Sequence, residues 1–449
     1  MRTPGPAARG GPHARRQRWV DGLAAVTGLG FGLVVALTIA QETSGSLAAP
    51  GGVATAIGRV AGMAGTYLLL VTVLLAGRVP VLERAAGQDR LLHWHRKLAP
   101  WPLYLITAHA VFVTIGYASQ ASRGLPGEVG ELLTGYADVL AATVAYGLLV
   151  MVGVTSYRRA RRRLRYETWW VVHLYVYLAL ALSVAHQIVT GQAFVGHPLN
   201  RALWLAFWAA TAGVVLVYRI AVPLYRSVRH DLRVVRVSRE ADGVVSVIAR
   251  GRRLDQLHLE GGQFFAWRFL TRELWWQAHP YSVSAMPRKG HVRVTIKDLG
   301  DHSGHLVRIR PGTRVAVEGP YGVFTPQARH TNRVLLVGAG VGATPLRALL
   351  EDLPAGVRAD VVLRASRRGE LLLVDEFTAF AQAHGGRVLT LVGSRDQVDL
   401  AAELRRHVPD LAERDVYVCG PGGFTDLVAD IATQAGTPRA RVHVESFAY

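Results

Sequence analysis

Between Trp19 and Val222 the chain repeats one pattern six times: an apolar run of about twenty residues, bounded by polar or glycine-containing segments. The runs lie near Trp19 to Ala40, Val53 to Ala76, Trp94 to Tyr117, Tyr136 to Ser156, Trp169 to Thr190 and Arg201 to Val222. As helices, each would cross about 30 Å of hydrocarbon. After Arg226 the period changes to short alternating segments such as Val234 to Val237, Val244 to Ile248 and Val292 to Ile296, broken by glycine-rich turns, which predicts a small antiparallel barrel. From Arg333 strands alternate with helices, the pattern of a parallel α/β sheet, with the boundary near Pro326 to Thr331. The expectation is a multi-domain membrane protein. Residues 1–18 form a basic N-terminus, 19–228 a six-helix transmembrane bundle, 229–328 an antiparallel β-barrel and 329–449 an α/β parallel-sheet domain.

Composition sharpens this picture. Half of the 449 residues are hydrophobic and only 18% are charged, which argues against a purely cytosolic enzyme. The net charge of +19 is concentrated in alternate connections: Arg9, Arg15, Arg16 and Arg18 before the first run, Arg78, Arg84 and Arg90 after the second, and Arg158 to Arg165 after the fourth. That asymmetry places both termini and everything after Val222 in the cytoplasm, at a cell membrane. The basic charge therefore reads as topology and contact with anionic lipid, and no nucleic-acid partner is expected. A cleaved signal peptide ending near Ala48 and Ala49 is the competing reading of the first run, but it would leave an odd number of spans. One cysteine, Cys419, excludes a disulfide framework, a Cys-ligated zinc site and an iron–sulfur cluster built from this chain alone.

Ionisable residues inside a span are costly and mark function, so the histidines of the third and fifth runs are informative. His95 and His109 are fourteen residues apart and share a helix face to within about 40°, separated by about 21 Å of rise. His173 and His186 are thirteen apart. Both runs point the same way in the charge topology, so His95 pairs with His173 on the cytoplasmic side and His109 with His186 on the outer side. Two such pairs can ligate two stacked b-type haems. Taken singly, each histidine could equally be a hydrogen-bonded core residue. The thirteen-residue spacing turns the two directions about 140° apart on an ideal helix and predicts a bend or π-bulge in the fifth run. His93 is a rival to His95 but lies about 160° off the face of His109.

The second half carries motifs in a fixed order. Gly262-Gln263-Phe264 is followed by His279-Pro280-Tyr281-Ser282-Val283-Ser284, Gly300-Asp301-His302-Ser303 and Gly319-Pro320-Tyr321-Gly322. An apolar strand, Val334 to Val337, then enters Gly338-Ala339-Gly340-Val341-Gly342-Ala343-Thr344-Pro345 and a helix. Tyr417-Val418-Cys419-Gly420-Pro421 and the tail Glu445-Ser446-Phe447-Ala448-Tyr449 close the chain. A glycine-rich strand-to-helix turn lets backbone N–H groups approach a pyrophosphate, although any α/β domain can contain a tight turn. After Val361-Val362-Leu363 come Arg364, Ser366, Arg367 and Arg368, with no acid until Glu370. Cations at that strand end suit a ribose 2′-phosphate, favouring NADPH over NADH, whereas a solvated arginine loop is the plain alternative.

In combination these motifs and the two histidine spacings resemble the NADPH oxidase and ferric reductase superfamily, whose cytoplasmic half is like ferredoxin-NADP reductase. The resemblance implies that His279, Tyr281 and Ser282, with Pro280 and Gln263, bind FAD, and that Gly300, His302 and Ser303 hold its pyrophosphate. It implies that Gly338, Gly340, Gly342, Thr344 and Pro345 meet the NADPH pyrophosphate, while Cys419, Gly420 and Pro421 flank the nicotinamide. Phe447 matches the terminal aromatic that covers the flavin, with Tyr449 as a rival because two residues follow Phe447. Cys419, Ser282 and Phe447 are thus the residues expected nearest the hydride.

The implied activity is transmembrane electron transfer from NADPH through FAD and two haems to ferric chelate or oxygen outside. Arg59 matches a family arginine placed by the outer haem, though snorkelling to the interface explains it as simply. Val113 stands where oxygen-reducing members carry a further histidine, which argues against dedicated superoxide production. The alternatives are an electron donor to a separate periplasmic redox partner, and a flavin reductase for which the spans are only an anchor.

Overall fold

Six helices carry the apolar runs: Arg18–Ile39, Gly52–Leu75, Arg90–Gln120, Asp138–Ser156, Thr168–Thr190 and Pro198–His230. By length and composition each can cross a membrane. The computed structural model describes residues 12–161, 163–298, 306 and 309–447. Most of them fall into two units, one of residues 16–218 and one that contains residues 219–447.

In the first unit the second span is the interior element. Of its most apolar window 61% is buried, against at most 17% for any other span. Small residues are what admit it. A Cβ at Gly58 would lie 2.7 Å from Val113, one at Gly62 2.7 Å from the His109 ring, and one at Gly65 3.0 Å from Ile106. A glycine every three or four residues therefore lets the second and third spans approach backbone to backbone, the way helices associate where water supplies no driving force. Leu29, Leu33, Val111, Leu140, Val144 and Leu203 are exposed, the apolar outer surface that a membrane span presents to hydrocarbon.

The π-bulge expected in the fifth span does not occur. The fifth span is an uninterrupted α-helix, Tyr166–Thr190. The third is interrupted instead: helix Gln88–Leu98 stops, Ala99 intervenes and helix Pro100–Gln120 begins, because Pro100 has no N–H to donate to the carbonyl of Arg96. The interruption falls between His95 and His109, but Ala99 keeps helical dihedrals and its N–H donates to His95 O, so the rise between the two histidines stays near that of one helix. A π-helical turn does occur, at Leu216–Ala221 in the sixth span.

The second unit opens with a closed barrel of six strands, β1 (Leu232–Ala241), β2 (Val244–Arg250), β3 (Phe264–Phe269), β4 (His279–Arg288), β5 (His291–Lys297) and β6 (Arg314–Tyr321). Their order around the barrel is β1-β2-β5-β4-β3-β6. Alternation sends Phe265, Trp267, Phe269, Val283, Val294 and Val317 inward, each almost fully buried. Each such side chain contributes about 1.5–3 kcal/mol of burial. A parallel sheet follows, built from β7 (Arg333–Ala339), β8 (Arg358–Ala365), β9 (Val388–Val392), β10 (Asp415–Pro421) and β11 (Val442–Phe447) in the order β11-β10-β7-β8-β9. Helices Ala343–Glu351 and Val374–Ala383 cover one face, and Leu400–His407 and Gly422–Gln434 the other.

Ion pairs fasten barrel to sheet. Arg293 of β5 grips Glu376 bidentately at 2.7 and 2.8 Å, and Arg347 reaches the same carboxylate at 2.6 Å. Burial would raise the Glu376 pKa, but the two guanidinium groups outweigh it and hold the carboxyl below its ordinary range. Glu351 accepts from the backbone N–H of Met286 at 2.8 Å, and Asp352 from that of Gly261 at 2.8 Å.

Candidate functional site

The four histidines of the spans meet in the two pairs expected of them. His95 faces His173 and His109 faces His186, each with ring centroids 6.2 Å apart and planes inclined by 62° and 61°. His93 lies on the exposed side of the same turn. In every pair the Nδ1 edge is anchored. His95 Nδ1 lies 2.9 Å from the carbonyl of Thr72 and His109 Nδ1 2.9 Å from that of Gly58. His173 Nδ1 lies 3.3 Å from Ser156 Oγ, and His186 Nδ1 3.2 Å from Asp138 Oδ2. Because Nδ1 is used, the Nε2 edges are the ones left for a metal, the arrangement in which a ligating imidazole is oriented from behind.

Iron fits between these rings. A metal–imidazole bond of about 2.0 Å and about 1.1 Å from nitrogen to ring centre, taken on both sides, give a centroid separation of about 6.2 Å. The absent Cβ of Gly62 is part of that fit, since a larger residue would displace the His109 ring. Beside the His109–His186 pair lies a cavity of about 390 Å³ whose walls include Ile106, Val113, Leu133, Tyr136 and Leu149, a predominantly apolar lining suited to a flat macrocycle. Arg59 and Glu42 also line it, paired at 3.0 Å. Snorkelling alone therefore does not describe Arg59. Val113 places an apolar surface in the cavity.

In the reductase unit the nucleotide residues gather at one edge because parallel strands end together. Register sets Cys419 beside Gly338, Ala339 beside Arg364, and Pro421 beside Phe447. The sheet order reverses between β10 and β7, and the glycine turn follows β7, so the crevice is at the topological switch point. Gly340 has φ +55° and nothing within 4 Å of where a Cβ would stand, leaving its backbone open to an anion. At Gly342 a Cβ would lie 2.2 Å from the carbonyl of Cys419, so glycine there permits the close crossing. Thr344 and Pro345 are buried in the first turn of the following helix, where the Thr344 hydroxyl donates to Val341 O at 2.9 Å. A pyrophosphate fits this turn.

Cys419 is fully buried; burial, and then the charge of Glu445, push its thiol well above the ordinary cysteine range, so it stays a neutral thiol. Phe447, the last described residue, is partly buried against the sheet core. Arg364 and Arg367 differ. The Arg364 guanidinium donates to the carbonyls of Ala365, Gly393 (2.6 Å) and Ser394 (2.9 Å), so it closes the edge of β9. Ser366, Arg367 and Arg368 are exposed. Glu370 is engaged locally, accepting from the backbone N–H of Ser366 at 3.2 Å and of Arg367 at 3.3 Å.

The barrel carries the flavin motifs on β3 and β4. Ser282 pairs with Phe264, Tyr281 with Phe265, Pro280 with Ala266 and His279 with Trp267. Tyr281 stacks on His279 at 6.2 Å, and burial pushes its phenol pKa up. Ser282 is buried and Pro280 exposed. Gln263 donates to Gly322 O at 3.2 Å. These residues form an aromatic and hydroxyl-bearing strip suited to an isoalloxazine ring. Gly300, His302, Ser303 and Tyr449 lie outside the described residues.

Sequence reasoning missed Asp138, Glu42, Thr72 and Ser156 as partners of the functional side chains. Asp138 opens an otherwise apolar run, where a charge is commonplace, so its position alone does not point to His186.

A profile described as ferric reductase like transmembrane component matches residues 61–184, and one described as FAD-binding domain matches residues 230–325. The chain is 30% identical over 187 residues to ferredoxin--NADP reductase B of Sorangium cellulosum, covering 37% of this chain and 77% of that protein. It is 31% identical over 202 residues to the ferredoxin reductase component of the 3-ketosteroid-9-alpha-monooxygenase of Rhodococcus rhodochrous, covering 43% of this chain and 57% of that one. Respiratory burst oxidase homolog protein E of Arabidopsis thaliana is 24% identical over 260 residues, 50% of this chain and 26% of that protein. The chain thus spans less than two thirds of the Rhodococcus and Arabidopsis proteins.

Proposed function

Because the chain belongs to the NADPH oxidase and ferric reductase superfamily, with a ferric reductase-like membrane component and a reductase half of ferredoxin-NADP reductase type, we propose that it moves electrons from cytoplasmic NADPH across the cell membrane to ferric chelate or oxygen outside. When bound, FAD supplies the conversion of a hydride into single electrons and two b-type haems supply one-electron carriage. The observation that carries this reading is the pair of histidine tiers, each 6.2 Å across with every Nδ1 anchored.

The chain's own residues do the positioning. His95 and His173 hold one macrocycle, His109 and His186 the other, with about 20 Å of helix rise between tiers. Gly338, Gly340 and Gly342 bind pyrophosphate, and Arg367 with Ser366 and Arg368 meets the 2′-phosphate, while Arg364 braces the strand end beside them. Cys419, Gly420 and Pro421 flank the nicotinamide, and Phe447 covers the flavin face until nicotinamide replaces it. His279, Pro280, Tyr281, Ser282, Gln263, Gly300, His302 and Ser303 hold FAD.

Val113 in the cavity favours ferric chelate over dedicated superoxide production. In liposomes with ferric chelate trapped inside, NADPH added outside should reduce the trapped iron without added protein. Oxidation of NADPH with no lumenal reduction would contradict transfer across the bilayer. A requirement for a second protein would favour the donor reading, which is supported by the Rhodococcus relative's being the ferredoxin reductase component of a monooxygenase.

A further inference from the structure

We propose that Asp138 is a positioning residue that sets the His109–His186 tier at a lower reduction potential than the His95–His173 tier, acting through His186; this rests on the reading that each tier holds a haem. The four Nδ1 anchors are unequal. Thr72 and Gly58 offer backbone carbonyls and Ser156 a hydroxyl, all neutral, whereas Asp138 offers a carboxylate. An N–H donated to an anion is the stronger bond, and it leaves the imidazole a better donor at its opposite nitrogen. A better axial donor stabilises ferric over ferrous iron, which lowers the potential.

The surroundings preserve the carboxylate's effect. Asp138 lies in the first turn of helix Ala137–Ser156 and its side chain is only 14% exposed, so little water competes for the bond to His186. Thr190 Oγ1 also lies 3.1 Å from His186 Nδ1, but its own hydroxyl proton is directed at His186 O, 2.6 Å away, so it competes with Asp138 as an acceptor. Arg59 would raise the potential of this tier, and Glu42 offsets it at 3.0 Å. The consequence is a terminal tier that is the stronger reductant towards the acceptor. Its cost is a less favourable transfer from the other tier.

The test is an optical redox titration of the full-length protein in detergent, with haem counted first. Asp138→Asn should retain two haems and move only the lower couple upward. At the potential where that couple is half reduced in the unmodified protein, the ratio of reduced to oxidised should rise about tenfold, a shift of about 59 mV for one electron. Asp138→Glu should restore most of the difference, and His186→Ala identifies the couple by removing it. If Asp138→Asn instead sheds the haem, Thr190→Val carries the test, because leaving the N–H wholly to Asp138 should move the same couple downward. Couples unmoved in the haem-retaining variant overturn the inference. Unmodified protein with fewer than two haems overturns the underlying reading instead.

Discussion

In both units a histidine donates a ring N–H to a carboxylate, and the two contacts differ in what the rest of the ring meets. In the reductase unit Asp415 is fully buried, and Oδ1 accepts from His330 Nδ1 at 3.2 Å and His443 Nε2 at 3.0 Å. Its Oδ2 accepts from the backbone N–H groups of His330 and Thr331 and from the Thr331 hydroxyl, at 2.7 to 2.9 Å. His443 is held further by stacking on Tyr417 at 4.2 Å. That cluster closes on itself. In the membrane unit Asp138 takes one edge of His186, and the ring's other edge looks across a gap at His109 beside the cavity. The same residue types therefore tie down a fold where their bonds converge on one another, and prepare a site where one end is left facing space. Arg364 and Arg367 repeat the contrast, the first spent on carbonyls and the second exposed.

Removing an open end should cost function with little cost in folding, and this is the largest expected effect. His186→Ala should lose one of two haems and slow reduction of the external acceptor at least about a hundredfold, while NADPH still reduces FAD at its normal rate. Haem assay and stopped-flow absorbance check both arms. Removing a closed group should do the reverse. Asp415→Asn places an amide N–H₂ among donors and should destabilise the reductase unit by about 3 kcal/mol with haem content unchanged, measured by thermal release of FAD fluorescence.

A smaller effect follows from pH. Burial opposes ionisation of Asp415, but the bonds from His443, His330 and Thr331 prevail and hold its pKa down to about 2, from an ordinary 3.8. A depressed carboxyl stabilises the fold above its unfolded pKa and loses that contribution as pH falls through the folded value. About 2 kcal/mol should therefore be present above pH ~4, fall steadily below it and be gone only below pH ~2. Urea midpoints across that window should fall in the parent protein and lack this component in Asp415→Asn. Smallest is the arginine comparison. Arg367→Ala should reduce the NADPH over NADH preference in kcat/KM about tenfold with unchanged stability, and Arg364→Ala should lower stability first.

The spans and histidine pairs were legible in the chain because polar residues inside apolar runs have few ordinary explanations. The sheet-edge site was legible because motif order matched strand order. The partners were not. Asp138 and Glu42 sit at the ends of apolar runs, where charge is commonplace, and only the folded chain brings them to His186 and Arg59. The π-bulge expected in the fifth span does not occur, and both histidine pairs form all the same, because a 6.2 Å ring separation leaves long side chains room to turn towards each other from different helix directions. Arg364 was grouped with Arg367 because adjacency along the chain does not tell which guanidinium turns back onto the carbonyl edge of a neighbouring strand.

The central claim is that two histidine pairs are open metal-binding tiers, and its most direct measurement is the haem and flavin content of the full-length protein purified from membranes, followed by anaerobic reduction with NADPH. The expected result is two b-type haems per FAD, both low-spin as bis-imidazole ligation requires, and both reduced by NADPH. One haem or none per chain, or high-spin haem with an open coordination position, would contradict it.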